Sequence, residues 1–96
     1  MVELHEITAT LHSHLPALKQ KYPIAQMAVF GSWARGEASI TSDLDIMVAF
    51  DADLGWEFFD LATDLEQLLH LKVDLVSKRA IKPHYWEHIK EDLVYV

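Results

Sequence analysis

The chain has 96 residues, 51% of them hydrophobic, with no cysteine and a formal net charge of −7 when histidine is neutral. That length suits one domain, residues 1–96, around one modest core, and the missing thiols exclude a disulfide framework or a zinc-thiolate site and fit a reducing compartment. An acidic surface repels a phosphate backbone, so direct stable nucleic-acid binding is not expected; a basic protein partner is favoured, and a nucleotide can still bind where cations meet its charge locally.

The N-terminus lacks the basic, apolar and small-residue order of a signal peptide. No apolar run approaches the ~20 residues that span a bilayer. The expectation is a soluble, cytoplasmic protein with no membrane partner. Leu4, Ile7, Leu11, Leu15 and Leu18 recur at steps of three and four, an amphipathic helical stripe. Pro16 predicts a break near His14–Leu15 and the start of a second short helix, which Tyr22-Pro23 ends. Ile24 to Phe30 is short, apolar and stopped by Gly31, and so predicts a strand. Asp43 to Phe50 predicts the second strand, with Asp43, Asp45, Met47 and Ala49 on one face and Leu44, Ile46, Val48 and Phe50 on the other. Trp56, Phe59, Ala62, Leu65 and Leu69 form a helical stripe that Phe58, Leu61 and Leu68 widen. Lys72 to Ser77 predicts a third strand. Pro83 can open a last helix carrying Tyr85, Trp86, Ile89 and Leu93, and Val94-Tyr95-Val96 either adds an edge strand or simply packs. The order is helix, strand, strand, helix, strand, helix, an α/β fold without repeats or linkers.

Chemistry concentrates in the acids that interrupt these apolar strands. Asp43 and Asp45 point the same way about 7 Å apart along the backbone. Two acids on one face repel each other, and a hard divalent cation relieves that repulsion. Mg²⁺ in particular prefers carboxylate oxygen together with substrate phosphate. Asp74 joins them at one sheet edge if its strand lies beside the second, and three carboxylates suit two metal ions about 4 Å apart that clamp a phosphoryl displacement. Taken alone, a D-x-D pair at a strand entrance reads more simply as a cap, a turn or a solvated edge. Gly31-Ser32 turns the chain sharply after the first strand and leaves room for a ligand. Backbone N–H groups and the Ser32 hydroxyl at the start of a short helix can hold nucleotide phosphates, and Arg35 can add a charge-assisted contact or brace a neighbouring carboxylate. The simpler reading is a strand-to-helix turn with a serine N-cap.

The spacing joins these pieces. Phe30-Gly31-Ser32-Trp33-Ala34-Arg35-Gly36, followed by Ser42-Asp43-Leu44-Asp45-Ile46 and later by Val73-Asp74-Leu75-Val76, resembles the polymerase-β-like nucleotidyltransferase superfamily, and within it the minimal nucleotidyltransferases. The resemblance covers nearly the whole chain. It implies a small mixed sheet flanked by helices. It also implies two Mg²⁺ ions on Asp43, Asp45 and Asp74, with Asp74 helping to deprotonate the acceptor hydroxyl, and a triphosphate held by Gly31 and Ser32. Trp33 departs from the smaller or basic residues common at its position. Many stand-alone members are antitoxins of a HEPN-domain toxin, and the better understood ones transfer AMP from ATP to a tyrosine of that toxin. The expectation is therefore an Mg²⁺-dependent, ATP-using protein adenylyltransferase; the alternatives are an antitoxin that masks its partner by binding, and a small-molecule nucleotidyltransferase. His84 and His88 share a helix face, but no third metal ligand is evident. Trp56, Phe58 and Phe59 suit core or interface better than base stacking, and Tyr85, Trp86 and Tyr95 suit a partner-binding patch or ordinary surface.

Overall fold

The computed structural model describes residues 3–96. Helix α1 (Leu4–Lys21) is continuous, so the predicted break at His14–Leu15 does not occur. Pro16 lies inside the helix on its exposed side, as do His12, Ser13 and His14. The carbonyl of His12, which loses its helical partner to the proline, can therefore be satisfied by water. On the other side Ile7, Leu11, Leu15 and Leu18 are buried on both flanks of the proline. Each buried side chain of this kind contributes roughly 1.5–3 kcal/mol. Tertiary packing on both sides of Pro16 thus outweighs its local helix-breaking tendency.

Strands β1 (Ile24–Phe30), β2 (Leu44–Phe50), β3 (Val73–Ser77) and β4 (Val94–Tyr95) form one mixed sheet in the order β3-β2-β1-β4. β1 runs antiparallel to β2 and β4, and β2 runs parallel to β3. A parallel pair needs a crossover, which α3 (Glu57–Leu69) supplies. The tail at Val94-Tyr95 is thus an edge strand. A four-residue helix α2 (Gly31–Ala34) follows β1, and a 3-10 turn at Lys78–Ala80 precedes α4 (Pro83–Ile89). Leu93 lies beyond that last helix.

One face of the sheet carries the main core. Met27, Val29, Leu44, Ile46, Val48 and Leu75 meet the apolar sides of α1 and α3. The buried stripe of α3 is Leu61, Leu65 and Leu69, with Phe58, Ala62 and Leu68 beside it. Trp56 and Phe59, expected in the stripe, are 83% and 61% exposed. The stripe is turned away from them because Leu61, Leu65 and Leu69 together face the core. The opposite sheet face holds Ala28, Phe30, Asp45, Met47, Asp74 and Val76, as the strand alternation requires. Ala28 and Met47 there are also fully buried. The chain after β3 runs along this second face, where Ile81, Tyr85 and Ile89 line a cavity with Phe30, Asp74 and Val76.

Candidate functional site

β1 delivers the chain straight into Gly31, whose φ of +74° favours glycine. A second constraint acts at the same residue. A methyl group placed on Gly31 would overlap Asp45 Oδ2 and stand 3.1 Å from Asp45 Cγ. The Asp45 carboxylate therefore lies directly against the turn. Trp33 buries its ring in the core and donates from Nε1 to the Ser42 carbonyl at 3.4 Å. This bond ties α2 to the loop that enters β2. The bulky residue at that position thus anchors the turn from beneath.

The strands bring the acids into register. Phe30 pairs with Asp45, and Asp45 pairs with Asp74. Two bonds hold the entrance of this row: the Leu44 N–H donates to the Lys72 carbonyl at 2.8 Å, and the Val73 N–H donates to Glu66 Oε2 at 2.9 Å. Glu66 belongs to α3, so the crossover helix itself sets where β3 begins. Asp43 precedes β2 by one residue instead of opening it, and it is exposed. The backbone leaves the ladder at the solvated loop, which is why the expected strand starts one residue late.

The electrostatics of the row are tense. The Asp45 carboxyl is pushed up from 3.8 to about 6. Burial is the largest cause, followed by repulsion from Asp74, a hydrogen bond shared with Asp74 and repulsion from Asp43, while Arg35 pulls the other way. Oxygen donors of one sign at one sheet edge, one of them half-buried, are the donor set a hard divalent cation takes. Asp45 and Asp74 meet directly; Asp43 acts on Asp45 through its charge from the adjoining loop. Among the described residues no group of three His, Asp or Glu side chains is already drawn about a single point in ligand geometry.

Ser32 is half-buried in the first turn of α2, where backbone N–H groups have no helical partner. Arg35 at the end of α2 donates from Nη1 to Asp92 at 2.9 Å and from Nε to Glu37 at 3.1 Å. It braces neighbouring carboxylates and latches the turn after α4 onto the glycine-serine segment. Asp92 carries no local sequence signal, because its partner lies 57 residues away. Trp33 stood out in the sequence only as a departure from the residues common at its position, and Glu66 carried no signal of its own. Beside Asp74 the second sheet face opens into a cavity of about 500 Å³ with mostly apolar walls. His84 stacks on Tyr85 at 4.3 Å and meets His88 edge-on at 6.5 Å.

Comparison with known proteins adds a family to this geometry. The nucleotidyltransferase domain family matches residues 11–96. A protein of Methanocaldococcus jannaschii, provisionally named a protein adenylyltransferase, is 45% identical over 100 residues, spanning all of both chains. Protein adenylyltransferase MntA of Thermococcus cleftensis is 38% identical over 97 residues, spanning all of this chain and 98% of that one. Among solved structures, a provisionally assigned minimal nucleotidyltransferase superposes with a TM-score of 0.82 at 34% identity, over 97% of this chain and 95% of that one. A chain from the complex of a tri-AMPylated Shewanella oneidensis HEPN toxin with its MNT antitoxin shares the fold, with a TM-score of 0.69 at 21% identity over 93% of this chain and 70% of that one.

Proposed function

Since the chain belongs to the nucleotidyltransferase domain family, we propose that it is an Mg²⁺-dependent protein adenylyltransferase that moves AMP from ATP onto a tyrosine hydroxyl of a HEPN-domain toxin, as the antitoxin of that pair. The observation that carries this reading is the Asp45 carboxylate lying against Gly31 and in register with Asp74. It joins the phosphate-binding turn to the acids, which is the juxtaposition nucleotidyl transfer requires. Asp43, Asp45 and Asp74 would hold the two Mg²⁺ ions. When bound, these ions neutralise triphosphate charge and stabilise the entering and leaving oxygens. Gly31 and Ser32 present the turn and the first N–H groups of α2 to the triphosphate. Arg35, already fixed by Asp92 and Glu37, adds positive charge at the same edge. Asp74, which also lines the cavity on the second face, accepts the proton of the acceptor hydroxyl.

The relatives named as protein adenylyltransferases support a protein acceptor. The MNT–HEPN complex supports the toxin as partner. The test uses α-labelled ATP, Mg²⁺ and the protein encoded beside this chain, which this reading expects to be a HEPN-domain protein. Label is expected on a tyrosine of that protein, at catalytic amounts of this chain, and is expected to vanish in Asp43→Ala/Asp45→Ala. Neutralisation that survives the double substitution, without label, would instead establish masking by binding.

A further inference from the structure

We propose that the chain adenylylates itself at Tyr85. This inference rests on the adenylyltransferase reading above and deepens it by naming an acceptor within the protein. The sequence holds three tyrosines. Tyr22 is 3% exposed, and its hydroxyl donates to Asp64 at 2.5 Å, so it is closed to a nucleotide. Tyr95 sits on edge strand β4, with β1 and β2 between it and the strand of Asp74. Tyr85 differs from both. It is 55% exposed on α4 and lines the same cavity as Asp74, about 500 Å³ in volume. That volume lies within the roughly 300–1,000 Å³ range of pockets that hold small ligands. Its hydroxyl makes no hydrogen bond to another described residue, and its ring stacks on His84 at 4.3 Å.

The chemistry closes with what the proposed activity supplies. The phenol oxygen of Tyr85 attacks the α-phosphorus of a nucleoside triphosphate. A phosphorus–oxygen bond to the ring oxygen forms, and the α–β anhydride bond breaks. Pyrophosphate leaves with the electron pair. The phenol gives up its proton as the bond forms, so that proton needs an acceptor. Asp74, on the wall of the same cavity, receives it. The product is a phosphodiester linking AMP to Tyr85.

The experiment incubates the full chain alone with α-labelled ATP and Mg²⁺, and in parallel with the HEPN protein added. Self-labelling by a single AMP, placed on Tyr85 by tandem mass spectrometry of the wild-type chain, is expected. Tyr85→Phe and Asp45→Asn should each lower self-label at least tenfold, with circular dichroism confirming that both fold. An unlabelled chain beside a labelled partner overturns self-modification and leaves the adenylyltransferase reading standing. Label on another residue, or label that persists in Tyr85→Phe, also overturns it. A reaction that labels neither protein overturns both readings.

Discussion

Gly31 and Gly36 share a φ of +74° but differ in what surrounds them, which makes them a matched pair for the central contact of the site. Alanine in this left-handed region costs roughly 1–2 kcal/mol, partly offset by the lower entropy of an unfolded chain with one glycine fewer. A methyl group on Gly36 meets nothing within 4 Å. Gly36→Ala should therefore lose about 1 kcal/mol and no activity. In a domain of this size that is a fall in Tm of roughly 4–8 °C. Gly31→Ala carries the same backbone term and also drives a methyl group into the Asp45 carboxylate, 3.1 Å from Cγ and 3.4 Å from Cβ. The carboxyl group can swing away on its own side-chain bonds, so the further loss of stability should stay near the low end of the 1–3 kcal/mol typical of overpacking. Function has no such escape. A misplacement of about 1 Å at a reacting centre costs on the order of 100-fold in rate. Melting curves by circular dichroism, together with rates of labelled AMP transfer to the partner, separate the two effects. If both variants transfer AMP at the same rate, the close approach of Gly31 to Asp45 is not what the turn contributes.

Three further outcomes follow from individual contacts. The folded protein holds the Asp45 proton to about pH 6 whereas the unfolded chain releases it near 3.8, so this group lowers stability as pH rises from about 4 to about 6 and leaves it level above that. Asp45→Asn should accordingly melt higher than the parent at pH 7.5 in chelator, with the gap closing towards pH 4; a lower melting point at pH 7.5 would contradict the assignment. Asp92→Asn releases one of the two ion pairs of Arg35; stability should change by less than about 1 kcal/mol, as for other exposed pairs, while KM for ATP rises about three- to tenfold with kcat little changed and Asp92→Glu restores it. His70 closes α3 with φ at +55°, so His70→Gly should relieve left-handed strain and raise Tm by a few degrees, readable by calorimetry.

The strands and the two faces of β2 were legible because those signals are local, whereas the pairing of β2 with β3, on which the meeting of Asp45 and Asp74 depends, was not. Ile24–Phe30 ends at a glycine, and the period-two split of β2 places Asp45 and Leu44 on opposite faces without any knowledge of partners. Helix α1 was misread at Pro16, since a local rule cannot know that leucines on both sides of the proline pack against the same sheet. In α3 the apolar positions spread over too wide an arc for the sequence to say which edge faces inward. Packing placed Leu61 inside and left Trp56 and Phe59 out. The acids of the site were visible as misfits in apolar strands, and their link to the glycine-serine turn was visible only through the family resemblance that the spacing carries. The parts that hold them were not. Glu66 reaches Val73 from another element, and Asp92 reaches Arg35 from the far end of the chain. Such contacts exist only once the chain has folded, and a polar residue on a helix or turn gives no hint of them.

The charge balance decides how a nucleotide enters. Eight basic residues face 15 acidic ones, and Asp43, Asp45 and Asp74 crowd the edge where a triphosphate would lie. The nearby cation Arg35 is already shared between Asp92 and Glu37. Charges this close lie within the ~8 Å Debye length of physiological salt, so the solvent does not hide them. Bare ATP should therefore be repelled, and a divalent cation should invert the sign of the field by sitting between carboxylate and phosphate oxygens. Titration calorimetry is expected to show no ATP binding in chelator and clear binding with Mg²⁺. Asp43→Asn/Asp45→Asn should reverse the pattern, gaining affinity for ATP in chelator and losing most of its response to Mg²⁺. If the parent binds ATP equally well with and without the cation, the acids do not face the triphosphate, and their crowding at this edge is structural.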